Sequence, residues 1–187
     1  CIAANTETVE HLKTLGVKNI KNYGNLKFAK PDYNPQQNIN NLLIEKTKKN
    51  ILWCAASTHD TEEIFCAKAH IELKKKIKNL LTIIIPRHIH RVKEIKSKLE
   101  NLNLKVITHS SNKKNLKNID IYIVDTFGET KKFHKIGCSV FLGGSVINRG
   151  GQNPLEAARY GARILHGPNV DNFKDIYKTL LELKVSK

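Results

Sequence analysis

From residue 51 onward the sequence alternates between short apolar runs and amphipathic stretches, and this alternation limits the fold more than any other feature. Several of the runs are almost continuously apolar, as are strands that are buried on both faces of a parallel sheet. Strands that alternate with helices indicate a doubly wound α/β domain. The predicted strands are residues 51–56, 80–85, 104–108, 119–124, 138–142 and 163–166.

Helices are predicted between most of these strands, where apolar residues recur at helical spacing. In residues 60–78 the apolar positions Ile64, Ala67 and Ile71 lie three or four residues apart, as on one face of a helix. The other predicted helices of this region are residues 90–102, 153–160 and 172–184.

The first thirty residues follow a different pattern, with a predicted helix at 6–15 and a short strand at 18–22. A polar stretch at 31–38 contains Pro, Asn and Gln, which is typical of a linker. We therefore expect a domain boundary near residue 30. The chain starts at Cys1 and contains no Met, so we expect a fragment or a processed product.

The chain of 187 residues carries a formal net charge of +15, which suits an anionic partner such as a phosphorylated ligand, a nucleic acid or a membrane surface. The basic residues are dispersed, as on solvated helix faces, and clustered arginines with stacking aromatic residues are lacking, which argues against nucleic acid. Cys54 and Cys138 lie in apolar runs, so we expect both to be reduced and buried in a cytosolic protein. No apolar run approaches the roughly 20 residues of a membrane-spanning helix.

Polar residues follow the first two predicted strands directly. Open parallel sheets bind ligands at the carboxyl ends of their strands, so these residues form a candidate site. Ser57 and Thr58 can donate hydrogen bonds to an anion. Arg87 follows the turn-forming Pro86, and its guanidinium can make a paired contact with a phosphate. An arginine that begins a surface helix would give the same pattern.

Two further strand ends carry glycines, which let a ligand or another backbone approach closely. Phe127 and Gly128 follow the fourth strand, where the ring can pack on a base and the glycine can expose its backbone. An ordinary turn from strand to helix explains this segment equally well. Gly144 and Ser145 follow the fifth strand.

The third glycine-rich segment opens a predicted helix. Asn153 suits the N-cap, Pro154 the first helical position and Glu156 the third. The helix N-terminus would face the strand ends and could receive a phosphate, while Glu156 could accept hydrogen bonds from ribose hydroxyls. In the alternative interpretation, Glu156 only closes a capping box.

Three histidines lie near the predicted strand ends. His59 could be catalytic, but the sequence offers it no visible partner. His88 and His90 suggest a metal site, yet no Cys or acidic spacing completes a zinc set, so we expect no metal. P-loop and dinucleotide-binding fingerprints are absent. The residues alone therefore predict a basic α/β domain with a site for a phosphorylated ligand.

A series of short blocks runs in order along the chain: Gly24-Asn25-Leu26-Lys27-Phe28, Ala56-Ser57-Thr58-His59, Ile85-Pro86-Arg87-His88, Asp125-Thr126-Phe127-Gly128-Glu129, Phe141-Leu142-Gly143-Gly144-Ser145, Asn153-Pro154-Leu155-Glu156 and Gly167-Pro168. In order and spacing they resemble the motifs of the Kdo transferase family, which transfers 3-deoxy-D-manno-octulosonic acid (Kdo) to lipid A precursors. Each block is short, but the combination is highly specific.

The resemblance implies a GT-B glycosyltransferase whose C-terminal domain is Rossmann-like. Its donor would be CMP-Kdo and its acceptor a lipid A precursor, at the cytoplasmic face of the bacterial inner membrane, without metal, cofactor or nucleic acid. Residues 1–30 would be a remnant of the N-terminal acceptor domain and linker, and residues 31–187 the CMP-Kdo-binding domain, truncated at its C-terminus. The catalytic general base would lie in the missing N-terminal domain, so we expect no catalytic residue in this chain.

By matching motif, the resemblance implies that CMP contacts Pro86, Arg87, Phe127, Gly128, Glu129, Asn153, Pro154, Leu155 and Glu156. Further candidate donor contacts are Ser57, Thr58, Gly144 and Ser145. Three departures are Phe127 where the family usually has Met, Gln152 where it has His, and Thr61 where it has Gly. The alternatives are a donor-binding fragment without activity of its own, another GT-B enzyme that uses a nucleotide sugar, a nucleic-acid binder and an inactive remnant.

Overall fold

The structure, a computed structural model, describes residues 1–24, 48, 50–111 and 118–187. The chain divides into two compact units, residues 1–36 and 37–187. The boundary predicted near residue 30 and most of the first family motif, residues 25–28, lie outside the described residues.

In the first unit, a short helix joins two parallel strands. Strand β1 (Ile2–Ala3) pairs with β2 (Lys21–Asn22), and helix α1 (Thr6–Thr14) lies between them in sequence. Asn5 begins the helix because its Oδ1 accepts a hydrogen bond from the backbone N–H of Thr8 at 2.8 Å. The predicted helix and second strand are confirmed, whereas β1 is too short to produce a recognisable pattern.

The second unit contains a sheet of six parallel strands in the order β5-β6-β4-β3-β7-β8. Its strands are β3 (Ile51–Thr58), β4 (Leu80–Pro86), β5 (Val106–Thr108), β6 (Ile121–Ile123), β7 (Ser139–Leu142) and β8 (Arg163–Leu165). Every strand that the apolar runs predict from residue 51 onward is therefore confirmed.

Helices cover both faces of this sheet, which confirms the doubly wound α/β fold. They are α2 (Glu62–Lys74), α3 (Val92–Glu100), α4 (Thr130–Ile136), α5 (Leu155–Arg159) and α6 (Lys174–Glu182). Successive residues of a strand point to opposite faces, so Cys54 and Ala56 of β3 enter the core beneath α4, α5 and α6. Ala55 enters the core beneath α2 and α3.

The four cysteines are free, but they differ in exposure. Cys54 and Cys66 are buried, and burial raises the pKa of both thiols. The expectation that Cys138 is buried is wrong, because this residue lies in the bend before β7 and is exposed. Within the described part of the chain, no helix has both the length and the apolar character that crossing a bilayer requires.

The strand order reverses at β3, and this reversal positions the candidate site. The next strand in the chain, β4, pairs with one edge of β3. The later strand β7 pairs with the other edge of β3. In open parallel sheets the loops at such a reversal diverge and leave a crevice at the carboxyl ends of the strands. The segments 57–59 and 143–146 lie at these ends of β3 and β7.

Candidate functional site

The loops that follow β3 and β7 are joined by the carboxylate of Glu62, the first residue of α2. Glu62 is fully buried. Its Oε2 accepts hydrogen bonds from the backbone N–H groups of His59 at 3.0 Å and Gly144 at 2.8 Å. Its Oε1 accepts from the backbone N–H groups of Ser145 at 3.2 Å and Val146 at 3.1 Å. One carboxylate therefore fixes the backbone of both loops.

Glycine is required where these two loops approach each other. A Cβ on Gly143 would lie 2.3 Å from the carbonyl oxygen of Ser57 and 2.7 Å from Cα of Thr58. Gly144 has a φ of +69°, a left-handed conformation that glycine adopts without strain. The two glycines thus permit a close contact between the strand ends and a sharp turn directly after it.

The hydroxyl groups of two predicted donor contacts already have partners within the protein. The buried Thr58 Oγ1 donates to Oε1 of Glu63 at 3.1 Å, and Oε1 also accepts from Arg91 at 3.0 Å. Burial raises the pKa of Glu63, whereas Arg91 opposes this shift. Ser145 Oγ donates to the carbonyl of Leu142 and accepts from the N–H of Gly167. The roles predicted for Thr58 and Ser145 in donor binding stay predictions.

A cluster of basic side chains lies at the same edge of the sheet. Arg87 directly follows β4, and its backbone N–H donates to the carbonyl of Thr58 at 2.9 Å. A Cβ on Gly144 would lie 3.4 Å from Cβ of Arg149, 3.4 Å from Nε2 of Gln152 and 3.5 Å from Cδ2 of His59. These three side chains therefore surround the glycine turn.

Arg87 and Arg149 are exposed, and neither guanidinium has an ion pair with the residues that the structure describes. The pKa of His59 is lowered, mainly because the ring is partly buried and also because His88, Arg149 and Arg87 are nearby, while Glu62 opposes the shift. Positive charge without a counter-charge at a crevice attracts anions. The site is therefore suited to a phosphate.

The loop after β6 lies beside the start of α5. Phe127 is 78% exposed, and Gly128 has a φ of +78° with no atom within 4 Å of a Cβ placed on it. Glu129 pairs with Lys132 at 2.8 Å, whereas Lys131 of the same helix pairs with Glu156 of α5 at 3.6 Å. The predicted CMP-binding segments 127–129 and 153–156 are thus adjacent. The ring of Phe127 and the carboxylate of Glu156 are both accessible to solvent.

Helix α5 begins later than the sequence predicts. Pro154 is the N-cap and Leu155 the first helical residue, while Asn153 Oδ1 accepts from the N–H of Leu155 at 3.1 Å. The prediction that Asn153 is the N-cap is therefore wrong by one residue, because the N-cap is Pro154. Because Pro154 has no N–H, Glu156 cannot close a capping box, and its carboxylate instead pairs with Lys131.

Thr61, just before α2, has a φ of +73°. This conformation is unfavourable for a β-branched residue. Replacing Thr61 with Gly is expected to raise the free energy of unfolding by about 1 kcal/mol, measured by urea denaturation. Thr61→Ala is the matched control, because it keeps the Cβ that causes the strain. Equal stability of the two variants would contradict this explanation.

A separate apolar cavity of about 670 Å³ lies against α2 and strands β3, β7 and β8. Trp53, Phe65 and Phe141 contribute to its walls, and none of the predicted CMP or donor contacts does. Within the described ranges, no group of three His, Cys, Asp or Glu residues is arranged to hold a metal ion.

Sequence reasoning missed two residues of this site. The sequence assigns no role to Glu62, because its partners Gly144, Ser145 and Val146 lie more than 80 positions later in the chain. Arg149 lies in a recognised glycine-rich segment, but the sequence gives no sign that its side chain lies near His59 and Gly144.

Comparison with known proteins gives a consistent result. The chain is 34% identical over 99% of its length to 3-deoxy-D-manno-octulosonic acid transferase of Rickettsia bellii, of which it covers 44%. It is 32% identical over 93% of its length to the enzyme of the same name from Aquifex aeolicus, of which it covers 45%. The crystal structure of the C-terminal CMP-Kdo binding domain of WaaA from Acinetobacter baumannii superposes with a TM-score of 0.69 at 27% identity, covering 76% of this chain and 75% of that one. The chain matches no protein-family profile.

The parallel sheet, with its glycine turn and basic cluster at the strand reversal, defines a Rossmann-like α/β domain with a crevice suited to an anion. The chain is similar to enzymes named 3-deoxy-D-manno-octulosonic acid transferase, and a solved structural neighbour is the C-terminal domain of one protein, WaaA. The chain spans less than half the length of the two transferases named above. The predicted fold class, a Rossmann-like C-terminal domain of a GT-B glycosyltransferase, is confirmed.

Proposed function

We propose that this chain binds CMP-Kdo and supplies the donor site of a Kdo transferase in lipopolysaccharide synthesis. The observation that carries the proposal is the basic cluster at the carboxyl ends of β3, β4 and β7, where Arg87 and Arg149 have no ion pair within the described residues. The likeness to a CMP-Kdo-binding domain and to transferases of the same name supports it.

The site suggests how CMP binds. Arg87 lies where its guanidinium can contact the phosphate, and the partly exposed carboxylate of Glu156, which also pairs with Lys131, can accept hydrogen bonds from ribose hydroxyls. Phe127 has the exposure that packing on a base requires. When the sugar is transferred, negative charge develops on the departing CMP phosphate, and Arg87 would stabilise that charge.

The acceptor in this proposal is a lipid A precursor, as the family resemblance implies. The acceptor site and the general base would come from outside this chain, and the reaction would occur at the cytoplasmic face of the bacterial inner membrane. The chain alone is then expected to bind the donor nucleotide without transferring Kdo.

Replacing Arg87 with Ala is expected to weaken CMP binding by about 30-fold, because a charge-assisted contact with the phosphate is lost. Isothermal titration calorimetry with the purified chain measures this change. The wild-type chain should bind CMP more tightly than UMP, since the proposed donor carries cytosine.

Arg163→Ala is the matched control, because Arg163 is an exposed arginine at the opposite end of the sheet, where β8 begins. This variant should bind CMP as the wild type does. A folded wild-type chain that binds neither CMP nor CMP-Kdo would contradict the proposal. A preference for UMP would favour a different nucleotide-sugar enzyme.

A further inference from the structure

The ring of His59 has an unsatisfied nitrogen at the strand reversal. Its Nε2 is buried and has no hydrogen-bond partner among the described residues. Buried polar atoms in folded proteins almost always have such a partner. The backbone N–H of the same residue donates to Glu62, which fixes the backbone that carries the ring.

The groups that face His59 come from three loops. Glu62 binds its backbone, His88 of the loop after β4 lies 5.8 Å away between ring centroids, and Arg87 and Arg149 add positive charge. Gly144 brings the loop after β7 against the ring. Apart from Glu62, which is already bound to four N–H groups, these neighbours leave His59 in a positive environment.

We propose that His59 is a direct contact of the ligand phosphate, between Arg87 and Arg149, and that it takes up one proton from solvent as the phosphate binds. This inference rests on the proposed function of the site. A phosphate oxygen would supply the missing hydrogen-bond partner of the ring. No other bond is made or broken, and the proton comes from the buffer.

The direction of the proton movement follows from the surroundings of the ring. Without ligand, burial and the nearby cations lower the pKa of His59, so the ring is neutral at pH 7.5. A phosphate at hydrogen-bond distance favours the charged imidazolium and raises that pKa. The CMP phosphate is already dianionic at pH 7.5, since its second pKa is about 6, so any net uptake belongs to the protein.

Calorimetric titration of CMP in two buffers of different ionisation enthalpy measures this uptake. For the wild-type chain at pH 7.5, where CMP is already dianionic, we expect net proton uptake. His59→Gln keeps an N–H donor but cannot titrate, so it should abolish the uptake and weaken CMP binding by about 5- to 10-fold.

The matched control is His90→Gln, which removes an exposed histidine from the neighbouring loop and should retain both the affinity and the uptake. Proton NMR titration of the eight histidines gives a second readout that needs no variant, because one histidine pKa must rise when CMP is added. CMP binding without proton uptake, or uptake that persists in His59→Gln, would overturn this inference and leave the proposed function intact. Failure to bind CMP at all would instead contradict the proposed function, and this inference with it.

Discussion

Replacing Glu62 with Ala is expected to lower the free energy of unfolding by about 4 kcal/mol, measured by urea denaturation. The substitution removes the acceptor of four backbone N–H groups, those of His59, Gly144, Ser145 and Val146. Each buried donor without a partner costs about 1–3 kcal/mol, and water that enters the vacated space recovers part of the loss. CMP affinity should fall as well, because the two loops that bear His59 and Arg149 lose their common anchor.

Two companion variants separate this role from a general effect of charge. Glu62→Gln keeps one acceptor oxygen but directs an NH₂ group at backbone donors, so an intermediate loss of about 2 kcal/mol is expected. Glu72→Ala removes an exposed acid of the same helix, whose ion pair among the described residues is with its near neighbour Lys75. It should change stability by less than about 0.5 kcal/mol. Equal effects of Glu62→Ala and Glu72→Ala would refute the anchoring role.

Replacing Gly143 with Ala should cost at least about 3 kcal/mol, because the added methyl group overlaps backbone atoms in the middle of the sheet. The overlapping atoms are the carbonyl oxygen of Ser57, at 2.3 Å, and Cα of Thr58, at 2.7 Å. A flexible side chain could move away from the methyl group, but these atoms belong to the end of a central strand. Relief therefore requires that β3 and β7 separate, which also disturbs the turn at Gly144.

Gly137→Ala is the appropriate comparison for this change. Gly137 is also buried and lies just before β7, but its φ is −86° and a Cβ there would meet its nearest neighbours at 3.5 Å. The added methyl group should leave stability unchanged or raise it by up to about 1 kcal/mol. Urea denaturation of both variants gives the comparison, and a similar result for the two would show that β3 and β7 can move apart freely.

The strands could be predicted because a parallel sheet covered on both faces requires nearly continuous apolar runs. Helix ends were harder to predict, as α5 shows. Asn153, Pro154 and Glu156 fit the preferences of the first helical turn, yet the helix begins at Leu155. The capping interaction that fixes the start is made by Asn153 from outside the helix, and the sequence pattern does not separate the two arrangements.

The site was predicted as a set of segments, but not as a set of contacts. Strand ends identified Arg87 and the glycine turn, since parallel strands bring their carboxyl ends to one edge. The sequence could not reveal that Gly144 and Ser145 donate their N–H groups to Glu62. That contact joins residues 82 positions apart, beyond the reach of any local pattern.

The central position of β3 affects how the chain folds during synthesis. One edge of β3 pairs with β4, which follows soon after it, but the other edge pairs with β7, which is far later in the chain. At about 5–20 residues per second, a ribosome needs roughly 4–16 s to produce the intervening residues. Throughout that time the nascent chain exposes an apolar strand edge, and the loop after β7, whose N–H groups bind Glu62, does not yet exist. Chaperone binding to this edge during translation would therefore favour correct folding over aggregation.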